Sequence, residues 1–254
     1  MNEFVQKNSI VREIWGDGDT ILFIFAGASA EFALNKAVDW LYFTGKLPKD
    51  PLGRLFSTVE YARMIVFSEY DSALKSIDQI TAIHQGVEKS RGTKIPDWAY
   101  RDVLFMLIDY SISSYEVLKR QLTDHEKEEV FEVFNRIGLR MGIQNLPTNF
   151  NEWKQQRKTH LQNDLICSNF TKDLYRQYAK HLGFVRFQLL KQAQALVCPR
   201  TVNKLLKLTD FIWLKPILAS YKIIKTMELH HTFRNIILPK TYRVQIQNLD
   251  VDKY

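Results

Sequence analysis

An all-α, multi-helix bundle is the fold class this chain predicts, on three observations. Glycine and proline are scarce, at 10 and 7 of 254 residues. Apolar residues recur mostly at spacings of three and four, the period of a helix face. Helix-start signals stand where periodic stretches begin: Asp50 before Pro51, and Thr123 three residues ahead of Glu126.

In chain order, residues 20–43 read as a largely buried helix, apolar on more than one side. Residues 50–67, DPLGRLFSTVEYARMIVF, form the next helix. Leu55, Val59, Ala62 and Val66 make its apolar stripe, and Arg54, Ser57, Thr58 and Tyr61 share the stripe beside it. A third helix, about 71–88, puts Ala73, Ile77, Ile80, His84 and Val87 on one face. The helix from Asp97 to about Leu122 is apolar nearly all round in its middle, which places it centrally in a bundle. The Thr123–Glu126 capping box opens a helix to about Met141, and further helices cover 150–166, 170–196 and 199–208. From about Pro239 the tail loses helical periodicity and reads as extended or mobile. No repeat or low-complexity linker divides the chain. The expected organisation is one domain over 1–254, with a core at about 18–208 and a basic extension at about 209–254.

Composition narrows the functional classes. With 46% hydrophobic and 13% aromatic residues the chain can bury a core without disulfides. Cys167 and Cys198 show no framework spacing and read as reduced thiols of a cytoplasmic protein. The first twenty residues do not read as a secretory signal. The longest apolar run, TILFIFAGASAEFAL, falls short of the roughly 20 residues that span a bilayer. The net charge of +7 is uneven: residues 1–154 carry 18 Lys/Arg and 22 Asp/Glu, residues 155–254 carry 17 and 6. A basic C-terminal third suits an anionic membrane surface or an acidic partner, or is simply a set of solvated helix faces. Nucleic acid is disfavoured, because the basic residues spread along helices without interleaved exposed aromatics.

Common catalytic signatures are absent: no GxSxG, HExxH, P-loop or GxGxxG. The paired carboxylates of DHEKEEVFEVF lie on the outer face of a capped helix. His230 and His231 are adjacent, hence on different helix faces, and His125, His160 and His181 stand in polar contexts that predict surface placement. His84 differs, because it takes an aliphatic position in an otherwise apolar stripe. Two readings are open: a core histidine bonded to a neighbouring carbonyl, or a neutral imidazole serving as the axial ligand of a haem iron. HQGV offers no second metal ligand, so haem suits it better than zinc. Arg54, if buried, requires a carboxylate from Asp39, Asp102 or Asp109, or from a haem propionate. Thr58, one turn on, either bonds back to its own helix or places a hydroxyl near bound oxygen.

In order and spacing, DPLGRLFSTVEY, AIHQGVEKSRG, RDVLFMLIDYSISSYEVL and MGIQNLPTNFNEW together resemble the MpaB/rubber-oxygenase catalytic domain family. That family includes latex-clearing proteins and an oxygenase of mycophenolic acid biosynthesis. The similarity runs from about Gly18 to Leu208. It implies an all-α fold holding haem b, with His84 as the proximal ligand and Arg54 and Thr58 on the distal side. Where latex-clearing members carry a lysine before that threonine, this chain has Ser57, which implies a distal position that is open or closed by water. Glu31 and Asp39 are the candidates for an upstream acidic residue. The implied activity is a dioxygen-dependent oxygenase cleaving a C=C bond of an apolar unsaturated substrate, isoprenoid or lipid, to carbonyl products. Trp98, Tyr100, Phe105, Tyr110 and Tyr115 either line its pocket or belong to the core. The competing readings are a haem-free helical interaction protein docking on a membrane or anionic partner, and a haem peroxidase or sensor.

Overall fold

The computed structural model describes residues 3–45, 49–208, 213, 214 and 216, and within them the side chains of 51, 52 and 54–56 lie outside the description. The extended tail, His230, His231 and nearly all of the 209–254 extension fall outside it too. Among the described residues there are ten helices and no strand, only two isolated bridges. The helices are α1 Ile10–Trp15, α2 Gly18–Leu34, α3 Asp39–Phe43, α4 Pro51–Val66, α5 Tyr70–Arg91, α6 Asp97–Leu118, α7 Asp124–Arg140, α8 Phe150–Asn163, α9 Asn169–Val197 and α10 Arg200–Leu206. The expected all-α architecture is what the chain adopts.

Side-chain caps set many of the helix starts, because the first N–H groups of a helix have no partner inside it. Asp17 Oδ1 accepts from Thr20 N at 2.9 Å to open α2, and Asp50 Oδ1 accepts from Gly53 N at 2.8 Å to open α4. Thr123 and Glu126 close both halves of a capping box at α7. α1 was not among the expected elements. Six residues give too short a period to read, yet its Trp15 is fully buried and donates from Nε1 to Ser111 Oγ at 3.1 Å.

α2 is the axis of the bundle and packs against both α6 and α9. Most of its residues are buried on every side, and no charged surface marks an outer face. Its closest approach to α6 is at Gly27. A Cβ there would lie 2.2 Å from Tyr110 Cδ1, so only glycine admits the ring. The helix expected to continue to residue 43 instead stops at Leu34. Asn35 takes extended backbone while remaining buried, its Oδ1 accepts from Ala37 N at 2.8 Å, and Ile166 N donates to Leu34 O at 2.7 Å. Tertiary partners therefore override a continuing apolar pattern.

The main apolar cluster joins α1, α2, α4–α8 and the α9–α10 junction. A second, around Ala33, Val38, Leu174, Tyr178 and Leu182, closes α2 against α9. α9 is interrupted at Gly183, whose φ of 73° lies in the left-handed region that glycine adopts without strain. Of the aromatic residues of α6, Phe105, Tyr110 and Tyr115 are core, whereas Trp98 and Tyr100 are half-buried. No helix among the described residues is long and apolar enough to cross a membrane. The two cysteines are free thiols, Cys167 exposed and Cys198 buried.

Candidate functional site

Val59, Ala62 and Val66 hold α4 in the core, and Ser57, Thr58 and Tyr61 beside them are half-buried. The neighbouring stripe is thus a boundary stripe, neither fully solvated nor sealed. The Arg54 backbone belongs to α4, and its side chain lies outside the described residues. The three carboxylates considered for it have partners of their own. Asp39 pairs with Arg91 at 2.6 Å, Asp102 accepts from Asn35, and Asp109 accepts from Arg157.

α5 packs beside α4 and carries His84. Its expected face is buried only in the first half, at Ala73 and Ile77, while Ile80, His84 and Val87 are half-buried. The helix leaves the core as it proceeds, so His84 sits at the edge and not in the interior. Its Nδ1 lies 2.9 Å from Ile80 O, and its ring meets Tyr100 edge-on at 5.3 Å between centroids. Tyr100 in turn donates to Glu88 Oε1 at 3.1 Å, one turn beyond His84. With Nδ1–H donating to that carbonyl, the ring's lone pair is on Nε2. Two turns past His84, Arg91 grips Asp39 and lies over the Trp40 ring at 4.0 Å.

A second polar assembly is buried between α2, α6 and α8, and sequence reasoning missed most of it. Glu31 is fully buried and receives two bonds from the Arg157 guanidinium: Nη2 to Oε2 at 2.6 Å, and Nη1 to Oε1. Tyr110 OH donates to Glu31 Oε2 at 2.7 Å, and His160 Nε2 is 2.7 Å from Oε1. Arg157 also donates from Nε to Asp109 Oδ2 at 2.9 Å. His160 Nδ1 lies 2.7 Å from Asp102 Oδ1, and Asn35 Nδ2 donates to Asp102 Oδ2 at 3.0 Å.

The electrostatics of this cluster follow from burial set against pairing. Burial alone would raise the Glu31 carboxyl, but the Arg157 charge and hydrogen bonds, with His160, hold it down at about 2. Burial would lower His160, yet the Asp102 and Glu31 carboxylates beside its two ring nitrogens lift it to about 9. Asp109 is raised, because desolvation outweighs its contact with Arg157. Removing one member of such a buried pair strands a charge, whereas the intact pair is roughly neutral against an apolar substitute.

The surface placement expected for His160 is therefore corrected: it is 3% exposed. Its segment, FNEWKQQRKTHLQN, is polar throughout, which concealed this. The available signal was spacing, since Trp153, Arg157 and His160 fall at i, i+4 and i+7 on one stripe that begins with an aromatic. The same logic groups Asp102 and Asp109 on the α6 face shared with Phe105 and Met106. Of the two acidic candidates, Glu31 is locked in this cluster, while Asp39 is tied to the His84-bearing helix through Arg91.

A family model described as the ER-bound oxygenase mpaB/B'/rubber oxygenase catalytic domain matches residues 12–216. The chain belongs to that family. Among the described residues, the match covers α2–α10 and the last part of α1 of this MpaB/rubber-oxygenase domain, including both the α4–α5 pair and the buried α2–α6–α8 cluster. No curated protein and no solved structure matches the chain. An oxygenase-type domain, and with it oxidoreductase chemistry, is the activity class the family carries.

Proposed function

We propose that this domain is a haem b-dependent oxygenase. In this reading it cleaves a C=C bond of an apolar unsaturated substrate, an isoprenoid or other lipid, with dioxygen. Family membership supports the reaction class. The observation that carries the cofactor is the His84 ring, half-buried on α5 with Nδ1 bonded to the Ile80 carbonyl. A backbone acceptor at one ring nitrogen fixes the tautomer and orients the other nitrogen for ligation. The His84 ring also meets the Tyr100 ring edge-on, and its segment HQGV carries no second metal ligand, which suits haem better than a bare ion.

In this reading His84 would hold the haem iron through Nε2. A bound haem supplies the one-electron and oxygen chemistry that side chains cannot. The chain's own residues bind, orient and neutralise charge. Thr58, half-buried on α4, would offer its hydroxyl as a hydrogen-bond donor where negative charge develops on oxygen. Arg54, one turn earlier on α4, would supply positive charge to the reacting oxygen or to a haem propionate. Ser57, where latex-clearing members carry a longer lysine, would leave room for water or substrate beside the haem. The reaction balances without an external reductant: one C=C and one O–O bond break, and two C=O bonds form.

The alternative is a haem-free helical protein that docks on an anionic membrane. It is favoured by Phe184 and Val185, which are 77% and 69% exposed beside the Gly183 interruption of α9 and flanked by Lys180 and Arg186. Absorbance of the purified chain separates the two. A Soret band that His84→Ala abolishes supports the oxygenase, and a colourless chain that takes up no added haem overturns it. Dioxygen consumption with carbonyl product from an unsaturated lipid then separates an oxygenase from a haem peroxidase or sensor.

A further inference from the structure

We infer that Asp102, His160 and Asp164 form a site for one divalent transition-metal cation of the zinc class, clipping α6 to the end of α8. Its residues are distinct from those proposed for haem. One ligand atom from each of the three lies within 4.8 Å of the other two.

Three features go beyond a cluster of acids. The first is the imidazole itself. His160 Nδ1 is fully buried and has no hydrogen-bond partner among the described residues, although Asp102 Oδ1 is 2.7 Å away and Asp164 Oδ2 3.6 Å. The atoms are close, but a proton on Nδ1 would not be directed at either oxygen. A cation between them satisfies the nitrogen lone pair and both oxygens together. Ligands of a tetrahedral zinc stand about 3.3 Å apart, between the two separations observed.

The second feature is the opposite ring nitrogen. Nε2 lies 2.7 Å from Glu31 Oε1 and donates to it, while Nδ1 faces Asp102 and Asp164, where an entering cation displaces the second ring proton. A histidine that ligates through one nitrogen while the other donates to a carboxylate is the arrangement metal sites use to fix the ring. Glu31 is itself fixed by Arg157 and Tyr110. The third is Asp102, whose Oδ2 accepts from Asn35 and so directs Oδ1 to the site.

Charge and access agree. Glu31 and Asp109 share Arg157, whereas Asp102 and Asp164 both face the His160 imidazole, so two carboxylates converge on one ring nitrogen where a divalent cation would sit. Asp164 caps the C-terminus of α8 with its side chain 27% exposed, which opens a path for the ion and a fourth position for water. One imidazole and two carboxylates, without a thiolate, match Zn²⁺ rather than a sulfur-seeking ion.

The test uses the full chain, stripped with EDTA and titrated with ZnCl₂ by calorimetry, with retained zinc measured after gel filtration. One zinc per chain is expected. Asp164→Asn, at a half-exposed helix end that tolerates the change, should weaken binding at least about tenfold. His84→Ala should bind zinc like the parent, so failure of the haem reading and failure of this site are read separately. Zinc-edge X-ray absorption of the parent should show nitrogen and oxygen neighbours with imidazole scattering. No zinc uptake, equal uptake by Asp164→Asn and the parent, or a shell without imidazole overturns the site.

Discussion

Arg157 of α8 forks onto both carboxylate oxygens of Glu31 in α2, across 126 residues of sequence, and both side chains are almost wholly buried. The pair ties the axis helix to α8, and Tyr110 and His160 complete the shell of donors around the carboxylate. Substituting either partner alone should cost about 3–5 kcal/mol, because the survivor is a buried unpaired charge. Arg157→Met and Glu31→Leu together should cost much less than the sum of the singles. Urea unfolding of the four members of this cycle measures it, and additive effects would show the pair to be energetically idle.

Gly27 should tolerate no side chain. An added Cβ meets the Tyr110 ring at 2.2 Å, and that ring is held from its far end by Glu31. Gly27→Ala should lower stability by about 1–3 kcal/mol through overpacking, read as a fall in denaturation midpoint. Gly86, whose Cβ direction is open, is the control, and Gly86→Ala should be neutral or slightly stabilising.

Glu126 predicts an acid-side loss. Hydrogen bonds from Arg120, outweighing burial, and from Thr123 hold its carboxyl at about 2 against an ordinary 4.5. A carboxyl depressed in the folded chain contributes stability that is complete above 4.5 and is lost as pH falls towards 2. The stability gap between the parent and Glu126→Gln should therefore be present at neutral pH and shrink in strong acid. Thr123→Ala should cost about 1 kcal/mol by removing the side-chain half of the cap.

Much of the fold was legible because it is written locally. Asp50, Pro51, Thr123 and Glu126 announce α4 and α7 within a few residues of the helices they cap. The limits were tertiary. Nothing in the apolar run after Leu34 signals a stop; the stop is made by Asn35 reaching Asp102 and by residue 166 pairing with Leu34. His84 was legible as an aliphatic-stripe outlier, though its helix drifts to the edge of the core before reaching it. Arg157 and His160 were hidden because their segment is polar and their partners lie on α2 and α6. Only the Trp153 stripe hinted that this face turns inward.

The central claim is that His84 holds a haem, and the absorbance spectrum of the purified full chain tests it most directly. The account predicts a Soret band in the parent protein, retained in Asp164→Asn and lost in His84→Ala while helical circular dichroism is unchanged. A parent chain with no Soret band after incubation with haem, or a His84→Ala chain that keeps the parent spectrum, would contradict it.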